Sequence, residues 1–270
     1  MYIPAEHPEY ALTSVGLDSL SLAEVPGLAL TAIAGRDSIA AAALAVREHG
    51  ITTLLPLSVA TGTEYGDERE PAHAAERLAT LLDGEAQVLP HIRIGSPRLW
   101  AALNGRFSSV IQERFRIYSP CLACHLYVHL ARVPLAKALG NVPVITGERD
   151  SHGGRVKLSQ LPLGIDAETR VLARAGITLL TPVRRMRDGE DVGAIVGDAW
   201  ARGSRQLCCV HSGNYVGLDG TVVYDEVAYA RYLHRFLEPA GAAIVDAWRD
   251  SAEPDYEAIV RAVLAGPEAA

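Results

Sequence analysis

The sequence predicts an α/β fold: a single Rossmann-like domain with a mainly parallel sheet flanked by helices. Three observations predict it. From residue 28 onward, short apolar runs alternate with longer helical stretches, as in a sheet wrapped by helices. Gly50, Asp83-Gly84 and Gly140 stand where three of those helices should stop. The 270 residues, 49% hydrophobic and 21% charged, suffice for one core, and no repeat or composition break divides the chain.

The elements follow in order. Leu28 to Ile33 is the first strand, and Ser38 to His49 an alanine-rich helix ended by Gly50. Thr52 to Val59, apolar and β-branched, is a buried second strand. Pro71 to Leu82 is helical, and Val88 to Ile94 is the third strand. Pro97 to Ile117 is mixed and mainly helical. Cys124 to Leu139 carries Leu126, Leu130, Val133 and Ala136 on one helical face, with Pro134 expected to kink it. Val142 to Thr146 is the fourth strand. Later elements are helices at Ala167 to Ala175 and Asp191 to Ala201, and strands at Ile177 to Leu180 and Gln206 to Val210. Helices at Glu226 to Leu237 and Pro254 to Leu264 finish the chain. The expected core runs from about 28 to 210, with a helical extension from about 211 to 270.

Composition narrows the function. The net charge of −7 disfavours a general nucleic-acid binder, although Arg184, Arg185 and Arg187 form a local basic cluster. No uncharged run approaches the roughly 18 to 20 residues that span a bilayer, so no membrane partner is expected. Met1 to Pro26 contains Glu6, Glu9, Asp18 and Glu24 and has no basic signal region. A cytoplasmic location is therefore expected, where thiols stay reduced. The four cysteines then read as metal-binding, catalytic or buried rather than as disulfides.

Two constellations carry chemistry. Ala34-Gly35-Arg36-Asp37-Ser38 joins the first strand to the first helix, where backbone N–H groups and the helix dipole can hold an anion. Gly35 is read as a positive-φ turn residue, Ala34 as leaving room for phosphate, Ser38 as a hydroxyl donor and Arg36 as a bidentate fork. Asp37 is read as a helix cap or a magnesium ligand. The run is neither a Walker A loop nor a dinucleotide fingerprint. The second constellation is Cys121-Leu122-Ala123-Cys124 with Cys208-Cys209. Cys-x-x-Cys at a helix start places two thiols near one metal centre, where the dipole lowers their pKa values. A third ligand must come from Cys208 or Cys209. Cys208 is favoured, because a strand running through Val210 puts Cys209 beside Leu207 on a core face.

Gly35, Arg36, Asp37 and Ser38 resemble the end of the Ser-Gly-Gly-x-Asp-Ser loop of the N-type ATP pyrophosphatases, the PP-loop family, with Ile33 and Ala34 in place of the leading Ser and Gly. The order of loop, Cys-x-x-Cys, polar turn after the fourth strand and late cysteine is similar to that of the family's cluster-dependent tRNA thiolation branch. There, Ala-Thr-Gly-His-x-x-Asp-Asp follows the fourth strand; here Thr146, Gly147 and Asp150 match and Glu148 replaces the histidine. The resemblance implies a HUP-type domain that uses ATP and Mg²⁺, releases pyrophosphate and transfers sulfur to an activated oxygen. It further implies a 4Fe-4S cluster on Cys121, Cys124 and Cys208 or Cys209. The acceptor would be a tRNA base, a nucleoside or a small molecule, beside a sulfur donor, and a homodimer is compatible with the sequence.

The polar run Gly147 to Gln160 should lie at the carboxyl edge of the sheet, where ligands collect. Arg149 and Lys157 would stabilise charge developing at the α-phosphate, Asp150 joins them as a catalytic candidate, and His152 would move a proton near neutral pH. Thr61, Gly62 and Gly147 would border the nucleotide, and His211 to Tyr215 the acceptor. His125 and His129 share a helix face, and a structural role is expected for them. Two alternatives remain: a PP-loop ligase or amidating enzyme with a structural Zn²⁺ site, and a nucleotide-binding regulatory protein without turnover.

Overall fold

The computed structural model describes residues 25–200, 206–251 and 253–266. The acidic N-terminal stretch discussed above lies, up to residue 24, outside the described residues, and so does Ala201. The first half of the chain contains β1 (Leu28–Ala32), α1 (Arg36–His49), β2 (Thr53–Val59), β3 (Glu64–Tyr65), α2 (Glu70–Leu81), β4 (Gln87–Val88), β5 (Ile92–Ile94), α3 (Pro97–Trp100) and α4 (Ser108–Phe115). The second half contains α5 (Pro120–Leu130), α6 (Val133–Ala138), β6 (Val144–Ile145), α7 (Pro162–Arg174), β7 (Leu179–Leu180), α8 (Gly189–Val196), β8 (Cys208–Cys209), α9 (Glu226–Tyr232), α10 (Glu238–Ala247) and α11 (Tyr256–Ala265).

The main sheet runs β4-β2-β1-β6-β7, with β5 also on β2, and every pairing is parallel. The fold is therefore α/β, a parallel sheet flanked by helices. All five β1 residues are buried, as an interior parallel strand requires. Their alternation feeds two cores. Leu28 and Leu30 pack with Leu99, Tyr127, Leu130 and Val171, whereas Ala29 packs with Ile39 and the fully buried run Ala40 to Ala43 of α1. Small side chains let α1 lie close to the sheet, and this fixes where its first turn ends up. Tyr232, Phe236, Ile244, Tyr256 and Val260 of the last helices join the larger core.

Several expected elements are corrected. The strand expected over Val88 to Ile94 is two short ones, because Pro90 cannot donate to the ladder. The helix expected from Cys124 to Leu139 begins earlier, at Pro120, and stops at Leu130. A new helix starts at Val133, so Pro134 sits in a first turn rather than at a kink. The helix expected to end at Leu237 continues through a π-turn at Leu233–Leu237 into α10, and Pro239 falls in the first turn of α10. The strand expected over Gln206 to Val210 does not enter the main sheet. Only Cys208–Cys209 is extended, paired antiparallel with β3 through Glu64↔Cys209 and Tyr65↔Cys208, and Val210 is 63% exposed. No helix among the described residues is long and apolar enough to cross a membrane.

One contact sets the geometry of the sheet's carboxyl edge. A Cβ on Gly147 would lie 2.6 Å from the Asp37 carbonyl carbon and 2.6 Å from the Ser38 nitrogen. The chain leaving β6 therefore touches the first turn of α1 backbone to backbone. Gly147→Ala is expected to cost about 1–3 kcal/mol by overpacking. Gly193→Ala, in α8 with nothing within 4 Å of the new methyl, is expected to gain about 0.5–1 kcal/mol. Urea denaturation of both variants checks this, and equal effects would contradict the close-approach account.

Candidate functional site

The loop between β1 and α1 ends at the carboxyl edge of the sheet, and Ser38 organises it. Its hydroxyl accepts from the N–H groups of Ala34 and Gly35, both at 3.1 Å, and donates to the Gly35 carbonyl at 2.6 Å. Ser38 thus shapes the turn and is not free to donate outward. Gly35 has φ −170°, an extended conformation, so its expected positive φ is corrected. What glycine supplies here is space, since a Cβ would collide with the Gln206 side-chain amide. The first-turn N–H groups of α1 have no acceptor within the helix and remain the loop's anion-facing feature.

Three consecutive residues after β6 go three ways. Gly147 rests on α1. Glu148, 7% exposed, turns inward, where its Oε1 lies 3.6 Å from His125 Nε2 and 3.5 Å from His129 Nε2. Arg149, 4% exposed, returns to the loop and donates from Nε to Asp37 Oδ2 at 2.9 Å. Its other nitrogens reach the carbonyls of Met186 and Asp188 and the His152 ring. Asp37 is therefore an ion-pair partner, with Arg36 Nε 3.5 Å from its other oxygen.

Beneath them lies a buried charged cluster. His125 Nδ1 is 2.9 Å from Glu168 Oε1, and His129 Nε2 is 3.3 Å from Glu168 Oε2. Burial disfavours the His129 imidazolium, yet the carboxylates of Glu168 and Glu148 outweigh it and push its pKa up to about 9. Burial opposes charge on Glu148 as well, but His129 and His125 hold its carboxyl below the usual range. Burial lowers Arg132 to about 10 despite the same carboxylates.

His125 also forms part of the wall of a cavity of about 170 Å³ lined by Thr63, Cys121, Cys124, Ser159, Cys209 and His211. Three of the four thiols thus share one space. Cys121 Sγ donates to the His211 carbonyl at 3.6 Å, Cys124 Sγ accepts from Trp100 Nε1 at 3.4 Å, and Cys209 Sγ lies 3.3 Å from Thr63 Oγ1. Cys208, the expected third ligand, is exposed and does not line the cavity; Cys209 takes that place. The register with β3 turns alternate side chains to opposite faces, and here the inner face is that of Cys209. The expected low thiol pKa values are corrected too. Burial pushes Cys121 up to about 11 and Cys124 up to about 12, more than the helix start can offset.

The structure brings Asp37, Arg149 and Lys157 together, for burial lowers the Lys157 pKa while Asp37 raises it. Asp150 is drawn away, its carboxylate held by Arg184 Nε at 3.0 and 3.2 Å. His152 is pushed down to about 4 by burial and by Lys157 and Arg149, so it is neutral at pH 7 and does not fit the expected proton shuttle. Thr61 Oγ1 is 2.7 Å from Thr63 Oγ1, and Thr63 lines the cavity, so Thr61 stands beside the cysteine side. Sequence reasoning missed Glu148 and Glu168 as partners of the histidines. The i, i+4 spacing of His125 and His129 was the signal that pointed there.

Asp37→Ala strands a buried guanidinium and is expected to cost about 2–3 kcal/mol, above the roughly 1 kcal/mol of a lost helix cap. A melting curve within about 0.5 kcal/mol of the parent would contradict the strut role. Since Cys121 and Cys124 are protonated at pH 7, loading the cavity with Cd²⁺ is expected to release about two protons from them, with affinity rising as pH rises. Calorimetry in buffers of different ionisation enthalpy reads this, and pH-independent binding would refute it.

No family model matches the chain. It is 34% identical over 221 residues to the uncharacterized protein MJ0009 of Methanocaldococcus jannaschii, a match covering 81% of this chain and 79% of that protein. Among solved structures it resembles a 4-thiouridine synthetase in complex with RNA and bound ATP. The TM-score is 0.48 at 14% identity, over 90% of this chain and 54% of that one, so the chain spans about half that protein's length. A likeness of that degree transfers neither ligand nor activity. The extent of the sequence match is decisive instead: the chain belongs to the family of the M. jannaschii protein MJ0009.

Proposed function

We propose that the protein is a PP-loop enzyme that adenylates an oxygen of its acceptor with ATP, releases pyrophosphate and replaces that oxygen with sulfur at a cluster-bearing thiol cavity. One observation carries the reading: the loop at Ala34 to Ser38 and the cavity of Cys121, Cys124 and Cys209 are joined by two short bridges. One runs from Gly35 through Gln206 to Cys209, and the other from the α1 turn through Gly147 and Glu148 to His125.

The first-turn N–H groups of α1 would bind the pyrophosphate portion, and Arg149 and Lys157 would supply positive charge beside it. Asp37 is the carboxylate at the loop that can face the Mg²⁺ travelling with ATP, and Arg149 orients it. The acceptor oxygen attacks the α-phosphate, pyrophosphate departs, and the adenylated carbon then accepts sulfur as AMP leaves. Cys121, Cys124 and Cys209 line one cavity and would supply the three thiols that a 4Fe-4S cluster with an open iron takes. A single Zn²⁺ with bonds of about 2.3 Å would draw them to roughly 3.8 Å. When bound, such a cluster would carry sulfide at its open iron. The cavity suits a nucleoside, a flipped tRNA base or a small molecule with an exchangeable carbonyl oxygen.

Anaerobic purification followed by iron and labile-sulfide analysis tests the reading, together with pyrophosphate release from ATP. Four irons per chain are expected by about the stoichiometry of one cluster. Cys209→Ser should bleach the cluster absorption and Cys208→Ser should leave it intact. Zinc without iron, or a cluster lost only in Cys208→Ser, would overturn it.

A further inference from the structure

The buried cluster behind the cavity has its own donor set and does not depend on the cluster reading. We propose that His125, His129 and Glu148 bind a divalent transition-metal ion, with Glu168 holding His125 in place, at a site separate from the thiol cavity it adjoins.

The spacing is the first support. His129 Nε2 lies 3.5 Å from Glu148 Oε1 and 3.3 Å from Glu168 Oε2, and His125 Nε2 lies 3.6 Å from Glu148 Oε1. These separations are long for hydrogen bonds, which peak near 2.9–3.0 Å for nitrogen and oxygen. The two between proposed ligand atoms, 3.5 and 3.6 Å, come close to the edges of a tetrahedron around one ion, about 3.3–3.4 Å for bonds of about 2.0–2.1 Å. The three ligand atoms fall within 4.8 Å of one another, the one such group among the described residues.

Unmet valence is the second. His129 Nε2, Glu148 Oε2 and Glu168 Oε2 are buried and make no hydrogen bond. His129 is 0% exposed, Glu148 7% and Glu168 5%, so these atoms are shielded from bulk solvent. Thirdly, the tautomer of His125 is set. Ionised Glu168 only accepts, so His125 Nδ1 donates to it at 2.9 Å and a neutral ring presents Nε2 as a lone pair. A carboxylate behind a histidine is the usual arrangement around a bound metal. Arg132 Nη1 lies 3.5 Å from His129 Nδ1 and can only donate there, so a cation at Nε2 requires the His129 proton to move to Nδ1 and this long contact to give way. Two carboxylates face one guanidinium, so the cluster needs one further positive charge, from a proton or from a cation.

Two imidazoles with a carboxylate suit Zn²⁺, Fe²⁺ or Mn²⁺ rather than Mg²⁺ or Ca²⁺. Seated there, the ion would tie α5, α7 and the segment after β6 together and fix the His125 wall of the cavity.

The test uses the full chain carrying Cys121→Ser, Cys124→Ser and Cys209→Ser, so that the thiol cavity cannot bind metal, titrated with Co²⁺ and with Zn²⁺. One Co²⁺ per chain is expected, with visible ligand-field bands and no thiolate charge-transfer band, and Zn²⁺ should raise the melting temperature. On that background Glu168→Gln should weaken Co²⁺ by about 10–100-fold, and His129→Gln should abolish the bands while the far-ultraviolet spectrum stays native. Should His129→Gln unfold, His125→Gln takes its place with the same expectation. No saturable Co²⁺ site and no Zn²⁺-dependent shift in the triple-serine protein would overturn the proposal and assign the cluster to a proton on His129. Loss of iron and sulfide from the wild-type cavity would leave it standing.

Discussion

Everything at the carboxyl edge of the sheet hangs on the backbone contact between Gly147 and the Asp37–Ser38 peptide. With no Cβ in the way, the chain leaving β6 comes within van der Waals reach of the first turn of α1. Glu148 is then aimed at the histidines of α5 and Arg149 at Asp37. A side chain at 147 would push that segment out and release both. The alanine run of α1 serves the same end, because only small residues let the helix sit close enough to the sheet for its first turn to be met.

The charges around this contact divide into two layers. Nearest the loop are Asp37, Arg149 and Lys157, arranged around donors that already have protein partners. A phosphate arriving there would have to compete with those partners. Deeper in, Glu148, Glu168, His129 and Arg132 are buried, with His125 half-buried beside them, and charges persist there only when they compensate one another. The two layers share one short stretch of chain, residues 147–149, and the thiol cavity touches the deeper layer at His125. Residues 147–149 are thus the stretch of chain that lies between the loop and the His125 wall of the cavity.

Sequence periodicity made the first half of the fold legible. Leu28 to Ile33, the alanine helix, Thr52 to Val59 and Pro71 to Leu82 all appear within a few residues of their expected bounds, since each is long, apolar and closed by a turn residue. Short pieces were less legible. Gln206 to Val210 looks like a core strand by composition, yet its residues pair with a two-residue strand outside the main sheet, which reverses the faces of Cys208 and Cys209. The loop, Gly147, Arg149 and the Cys-x-x-Cys pair stood out in the sequence as candidates because each combines an unusual residue type with a position at a strand or helix end. Glu148 was not. It read as a departure from a motif, and its meaning came only when the fold brought it against two histidines from a distant helix. The thiol pKa values failed for a related reason, since burial depends on packing that no local pattern announces.

The central claim is that the α1 turn and the thiol cavity are two halves of one site. An anomalous-diffraction structure of anaerobically purified protein with ATP and Mg²⁺ bound tests it most directly. The account predicts phosphate density against the first turn of α1 and an iron signal among Cys121, Cys124 and Cys209. Nucleotide bound away from that turn, or thiols with no anomalous scatterer between them, would contradict it.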